Sequence, residues 1–206
     1  MEPKWQRISF MPATPLGEDG RRVTGSAAHI ALSRRAAAEG MVLLKNENET
    51  LPLKRGSRVA VFGKAQADYV KGGGGSGDTT VAYVRSLAQG LRMKQDEGKI
   101  EIFEPLERFY AEDVQAQYAA GATPGKTREP ILDDTLVQQA RAFTDTAVIT
   151  ICRFSGEDYD RTGQPHDGDY FLSFEEEHMV RKVLAAFPRV AVVLNTGGMM
   201  DTLWFK

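Results

Sequence analysis

The chain has 206 residues, with 26 lysines and arginines against 28 aspartates and glutamates, and its formal net charge of −2 gives no electrostatic footprint for nucleic acid or an anionic membrane surface. A hydrophobic content of 42% is typical of a soluble globular protein, and no apolar stretch approaches the length that spans a bilayer. The single cysteine, Cys152, excludes an internal disulfide framework, and together with an N-terminus that lacks an apolar leader it predicts a cytoplasmic protein.

The first part of the chain predicts an irregular lead-in, a helix and a buried strand. Prolines and glycines interrupt every period in residues 1–25. Residues 26–41 favour a helix because alanine and straight-chain residues dominate them. The apolar run at residues 58–62, closed by Gly63, predicts a buried strand.

The middle of the chain predicts helix, strand and helix in that order. Residues 80–92 place apolar side chains on one helical face: Val81, Val84, Leu87, Ala88 and Leu91. Residues 99–103 alternate between polar and apolar, which predicts a strand near a sheet edge. Residues 106–118 predict a further helix, followed by a loop to Pro130.

The last part alternates between helices and strands. Asp133 or Asp134 can cap a helix whose buried face is Leu136, Val137, Ala140 and Phe143. Residues 146–152 form a third apolar strand, and residues 190–194 a fourth. Between them, Ser173 and Glu176 fit a capping box that opens a helix with a buried stripe of Val180, Val183, Leu184 and Phe187.

Alternating helices and continuously apolar strands predict an α/β fold, a mostly parallel sheet with helices on both faces. We expect one such domain at residues 26–206, after the lead-in at residues 1–25. The chain stops at Lys206, directly after a strand that ought to be followed by further structure. We therefore expect the sheet to be truncated at its C-terminal end.

A loop rich in ionisable groups follows the third strand. In open α/β sheets, ligands gather outside the carboxyl ends of the strands, so this loop is a candidate reactive site. Glu157 is a candidate general acid, provided that its neighbours Phe154 and Tyr159 raise its pKa. The alternative is a solvated turn without chemistry. The charged residues of the loop are Glu157, Asp158, Asp160, Arg161, His166, Asp167 and Asp169.

Two features of the sequence bear on cofactors. The histidines show no spacing typical of metal ligands, so we expect no metal site. The glycine-rich loop Gly72–Gly77 formally contains the dinucleotide-binding pattern G-x-G-x-x-G, but four consecutive glycines satisfy it easily and eight residues separate it from Gly63. The loop is either a nucleotide-binding loop, a flexible loop, or a loop whose missing side chains let a ligand or a partner domain come close.

Several segments together resemble the second domain of glycoside hydrolase family 3. Residues 36–46, 51–53 and 59–63 are similar to its opening. The glycine-rich loop, the block at residues 155–173, and residues 192–198 followed by Asp201 and Trp204 continue the resemblance in the same order. The resemblance covers about residues 26–206.

The resemblance implies a retaining β-glycosidase, often a β-glucosidase or β-xylosidase, whose active site lies between a barrel domain and an (α/β)6 sandwich. It implies an aspartate nucleophile from the barrel and a general acid/base from the Glu of the Ser-Gly-Glu motif, here Glu157. It further implies a β-linked glucoside or related oligosaccharide as substrate, with no cofactor. The supporting residues implied are Asp160, Arg161 and Asp169, and the substrate-pocket loop is Gly73, Gly74, Gly75 and Ser76.

The sequence departs from the family pattern in two ways. Asp158 stands where the family has glycine, and its charge is expected to raise the pKa of Glu157. No barrel and no nucleophile motif occur in the 206 residues. A chain of this kind resembles either a member of the subgroup with inverted domain order, cut before its barrel, or a piece excised from a longer enzyme. We expect the isolated chain to be nearly inactive. Two alternatives remain open: a non-catalytic carbohydrate-binding or domain-docking module, and a nucleotide-binding domain.

Overall fold

The computed structural model describes residues 25–47, 49–78, 81 and 83–205. Residues 1–24 of the predicted lead-in therefore lie outside the described residues. The chain divides into two compact units, residues 1–47 and 48–206. The first contains helix α1, Ala27–Glu39, which begins where Ser26 Oγ accepts a hydrogen bond from the His29 N–H at 3.3 Å. The predicted first helix is confirmed.

The second unit is built on a four-stranded parallel sheet in the order β2-β1-β3-β4. The strands are β1, Ser57–Phe62; β2, Ile100–Ile102; β3, Thr146–Arg153; and β4, Arg189–Thr196. Every residue of β3 is buried, Cys152 included, because the strand is central and covered on both faces. The parallel sheet and the edge position of β2 are confirmed.

Helices cover both faces of this sheet, as predicted. The α-helices that the structure describes in this unit are α2, Leu87–Asp96; α3, Glu104–Ala119; α4, Asp134–Phe143; and α5, Phe174–Ala186. One face packs Phe62 and Ile149 against α3, α4 and α5. The other packs Val61 and Val148 against Leu87 and Leu91 of α2. Across the described residues, no helix combines the length and apolar character needed to cross a membrane.

Two details of the predicted helices are wrong. The helix expected at residues 80–92 begins only at Leu87, because Ser86 and Gln89 form a capping box that fixes the start there. Val81 and Val84 are 47% and 39% exposed rather than on a buried face, while residues 79, 80 and 82 lie outside the described residues. In α5, Leu184 is exposed, and Met179 is buried instead.

Candidate active site

The site lies at the point where the strand order of the sheet reverses. After β1 the chain passes to β2 on one side, and after β3 it passes to β4 on the other, so the carboxyl ends of β1 and β3 form a topological switch point. The charged loop, residues 154–172, leaves the end of β3 and is called the β3–α5 loop below. The glycine-rich loop follows β1 along the chain and reaches the same edge.

The glycine-rich loop packs directly against the β3–α5 loop. The Gly74 N–H donates a hydrogen bond to the Ser155 carbonyl at 2.8 Å, and Gly74 forms a parallel bridge with Gly156. A Cβ added to Gly74 would lie 2.7 Å from Phe154 Cζ, closer than real Cβ atoms approach. The missing side chains therefore let another segment of this chain come close.

Glu157 contacts the glycine-rich loop through one carboxylate oxygen. Its Oε2 accepts hydrogen bonds from the Ser76 N–H at 3.0 Å and from Ser76 Oγ–H at 2.9 Å. These bonds favour the charged form, and they lower the pKa of Glu157 below its ordinary value. Gly75 makes the contact possible, since a Cβ there would lie 2.5 Å from Glu157 Cβ.

The expectation of a raised pKa for Glu157 is therefore wrong. Phe154 and Tyr159 do not enclose the carboxyl group: their rings pack edge-to-face with centroids 5.5 Å apart, and Glu157 stays exposed. Asp158 is exposed as well. Without burial to favour the neutral form, the donors from Ser76 set the direction of the pKa shift.

Arg161 and Asp169, two of the supporting residues that the resemblance implies, form an ion pair. The Thr162 N–H donates to Asp169 Oδ2 at 2.6 Å, and Arg161 donates to the Met199 carbonyl at 3.1 Å. The pair thus joins two parts of the β3–α5 loop, and Arg161 links them to the segment after β4. Asp160 is exposed, and its side chain bonds to none of the described residues, so its supporting role stays a prediction.

Arg153, the last residue of β3, is a structural anchor that sequence reasoning missed. It is 3% exposed, and its guanidinium forms two bonds of 2.7 Å to Glu176 at the start of α5. It also donates to the carbonyls of Asp169 at 2.6 Å and Phe171 at 3.2 Å. Glu176 is recognisable from sequence only as a capping residue, and nothing there indicates that it pairs with Arg153.

A second buried cluster, also missed, centres on Asp68. This residue is 1% exposed and pairs with Lys64 at 3.1 Å. Tyr118, Gly125 and Thr127 donate further hydrogen bonds to its carboxylate. Burial opposes the charge on Asp68, but Lys64 and these donors together lower its pKa. The cluster therefore fixes the segment after α3 to the end of β1.

That segment carries Lys126 to the aromatic pair beside Glu157. The Lys126 ammonium nitrogen lies 3.4 Å from the ring centroid of Tyr159 and 4.8 Å from that of Phe154. Cation–π contacts of this kind contribute about 0.5–1 kcal/mol at exposed sites. Lys126 thereby adds a second contact to Phe154, besides that of the glycine-rich loop, at the start of the β3–α5 loop.

Glu129 is a buried carboxyl group beside the same cluster. Its Oε2 accepts a hydrogen bond from the Lys64 N–H at 2.8 Å, while Oε1 and the nearby Tyr110 hydroxyl have no hydrogen-bond partner among the described residues. Burial raises the pKa of Glu129 to about 8. Burial therefore favours the neutral form of Glu129.

A cavity of about 550 Å³ opens between the segment after α3 and the β3–α5 loop. Its lining includes Lys64, Lys126, Glu129, Arg153, Asp160 and Asp169, but not Glu157, which stands outside it. Among the described residues, no group of three or more His, Cys, Asp or Glu side chains could hold a metal ion. The chemistry available is that of an exposed, fixed carboxylate beside a polar cavity.

Comparisons with known proteins identify the family of the chain. Residues 41–206 match the profile of the Glycosyl hydrolase family 3 C-terminal domain. Beta-glucosidase A of Butyrivibrio fibrisolvens is 47% identical over 98% of this chain and 27% of its own length. A beta-glucosidase of Ruminococcus albus is 35% identical over 80% of this chain and 17% of its own length.

Solved structures show the same fold. The beta-glucosidase from Paenibacillus barengoltzii matches with a TM-score of 0.76 at 35% identity, over 84% of this chain and 19% of that chain. Beta-glucosidase 3B from Thermotoga neapolitana matches with a TM-score of 0.73 at 33% identity, over 85% of this chain and 25% of that chain. The chain thus spans about a quarter or less of these relatives. It belongs to glycoside hydrolase family 3, and most of its length matches that family's C-terminal domain.

Proposed function

We propose that this chain is part of a retaining β-glucosidase-like enzyme and that Glu157 is its general acid/base. The observation that carries the proposal is the placement of Glu157: an exposed carboxylate, fixed through Oε2 by Ser76, at the switch point of the sheet. Family membership supports it, since the similar proteins are named beta-glucosidases. The proposed substrate is a β-linked glucoside or a related oligosaccharide.

Retaining hydrolysis needs two carboxyl groups with different roles. One attacks the anomeric carbon while the other protonates the departing glycosidic oxygen; the second group then removes a proton from the water that releases the sugar. We assign this second role to Glu157. The nucleophile would come from a barrel-type partner domain, so we expect the chain alone to have little or no hydrolase activity.

The surrounding residues would hold the acid/base loop in place. Arg153 binds both Glu176 and the backbone of the β3–α5 loop, and Arg161 closes that loop on Asp169. We propose that Asp160 supports the same loop. Gly73, Gly74, Gly75 and Ser76 would form the wall of the sugar pocket next to Glu157, because glycines leave the backbone open to a substrate.

The proposal is tested in a hybrid enzyme in which this chain replaces the matched segment of the Butyrivibrio fibrisolvens enzyme. Glu157→Gln cannot donate the proton, so hydrolysis of cellobiose, which has a poor leaving group, should fall by about 10²–10⁴-fold. For an activated dinitrophenyl β-glucoside, whose leaving group needs little protonation, kcat/KM should fall by a much smaller factor than it does for cellobiose.

Asp158→Asn is the matched control, because Asp158 is the adjacent exposed carboxylate and asparagine tolerates its φ of 62°. It should change both rates little. Equal losses on both substrates in the Glu157→Gln hybrid would argue against an acid role.

A further inference from the structure

The two oxygens of Glu157 have different surroundings. Oε2 accepts both hydrogen bonds from Ser76, one from the backbone N–H at 3.0 Å and one from Oγ–H at 2.9 Å. Oε1 receives no hydrogen bond from any residue that the structure describes. An oxygen that already accepts two donors is a poor place for a proton, whereas the open oxygen is accessible to solvent and substrate.

The glycine-rich loop is shaped to present these two donors. Gly75 has a φ of +70°, in the left-handed region that favours glycine, and the Asp78 N–H closes the turn on the Gly75 carbonyl at 3.0 Å. A Cβ at Gly75 would lie 2.7 Å from Glu157 Oε2, so a side chain there would push the two loops apart. The neighbouring hydrogen bond, from the Gly74 N–H to the Ser155 carbonyl, anchors the loop to the first residues after β3.

We propose that Ser76 is a positioning residue that favours the carboxylate form of Glu157 and leaves Oε1 as the oxygen that exchanges the proton. The catalytic part of this inference rests on the proposed function. In the first step, the proton on Oε1 passes to the glycosidic oxygen as the bond from that oxygen to the anomeric carbon breaks and the partner domain's carboxylate bonds to the carbon; the O–H bonding electrons stay on Glu157. In the second step, Oε1 takes a proton from water as the water oxygen bonds to the anomeric carbon and the bond between that carbon and the nucleophile carboxylate breaks.

Ser76 affects the two proton transfers of Glu157 in opposite ways: it favours loss of the proton and opposes its return. Charge-assisted hydrogen bonds strengthen as negative charge develops on Glu157, so Ser76 stabilises the state reached after the proton has left. The same bonds oppose reprotonation. The residue therefore sets the pH at which Glu157 changes from acid to base form, and it does so from a distance of 81 positions along the chain.

The test uses the 206-residue chain and needs no catalysis. Glutamate labelled with ¹³C at the side-chain carboxyl is titrated by NMR, and the Glu157 signal is identified by its loss in Glu157→Gln. We expect the Glu157 pKa to lie below the ordinary value of 4.5. Ser76→Ala should shift it upward, and Ser76→Thr, which keeps the hydroxyl, should restore it. Ser155→Ala removes a hydroxyl nearby that donates to no Glu157 oxygen, and it should leave the titration unchanged.

An unshifted Glu157 titration in a folded Ser76→Ala chain, with the fold checked by its ¹H–¹⁵N spectrum, would overturn the inference. The pH profile of kcat/KM in the hybrid enzyme separates this outcome from failure of the proposed function. In Ser76→Ala, we expect the limb of this profile that reports the Glu157 pKa to shift to higher pH by the same amount as the pKa measured by NMR. An NMR shift without any movement of the limb would overturn the catalytic part and the role of Glu157 together, while leaving the contact with Ser76 intact.

Discussion

The carboxyl groups around the switch point fall into two kinds at the scale of single residues. Asp68 and Glu157 accept several donors, and those donors lower their pKa. Glu129 has one donor and deep burial, and burial raises its pKa to about 8. The sign of each pKa shift follows from whether hydrogen bonds or desolvation dominate.

Removing the charge of Asp68 should be costly, because it leaves Lys64 buried without its partner. We expect Asp68→Asn to lower the free energy of unfolding by about 3–5 kcal/mol in urea denaturation. Glu101→Gln, which breaks the exposed pair with Arg58, should cost no more than about 1 kcal/mol. Similar losses in the two variants would show that the Asp68 cluster is not a buried anchor.

Glu129 makes stability depend on pH in a predictable direction. Its pKa is about 8 in the folded chain against an ordinary value of 4.5, so between these values only the folded state keeps the proton. Its contribution to stability is therefore fully present below about pH 4.5 and is lost as the pH rises through about 8, at up to about 1.4 kcal/mol per pH unit.

Glu129→Gln cannot titrate and should flatten that decline in unfolding free energy between pH 5 and about pH 8. Denaturant titrations at a series of pH values measure the slope for both proteins. An unchanged slope in the variant would mean that Glu129 is already ionised in the folded chain at neutral pH.

Residue-scale chemistry was the hardest part to predict from sequence, because the relevant partners lie far apart along the chain. Phe154 and Tyr159 are close to Glu157 in sequence, yet they pack on each other and on Lys126. Ser76, 81 positions away, sets the direction of the pKa shift instead. Arg153 was hidden in the same way, since its partner Glu176 is 23 positions distant.

At the scale of elements, the strands were the most predictable features. A buried parallel strand is apolar along its whole length, as β3 is, so composition alone identifies it. The start of α2 was not predictable from periodicity, because Val81 and Val84 continue the apolar pattern past the true boundary. The capping box at Ser86 decides that boundary, and it was the overlooked local signal.

The glycine-rich loop makes an element-scale prediction of its own. Gly75→Ala should lower the melting temperature, because alanine is strained at a φ of +70° and its Cβ would lie 2.5 Å from Glu157 Cβ. Gly163→Ala is the matched control: a Cβ there meets nothing within 4 Å, and its φ lies outside the left-handed region. Equal melting temperatures for the two variants would contradict the packing between the loops.

For the whole molecule, the chain spans 27% of the length of a beta-glucosidase relative, and we propose that it supplies one of the two catalytic carboxyl groups. The fold brings two loops together at one edge of the sheet and leaves one carboxylate oxygen of Glu157 open on the outside. As the proposed acid/base, Glu157 would act together with a partner domain that supplies the nucleophile. Both carboxyl groups are then needed for turnover.

Chemical rescue tests this claim most directly. In the hybrid enzyme, Glu157→Ala removes the acid/base, so the glycosyl-enzyme formed from a dinitrophenyl β-glucoside should accumulate, because water lacks a base. Added azide, which needs no base, should restore the rate and yield β-glucosyl azide. Failure of azide to restore the rate, or formation of the α-azide expected when a nucleophile has been removed, would contradict the role of Glu157 as the general acid/base.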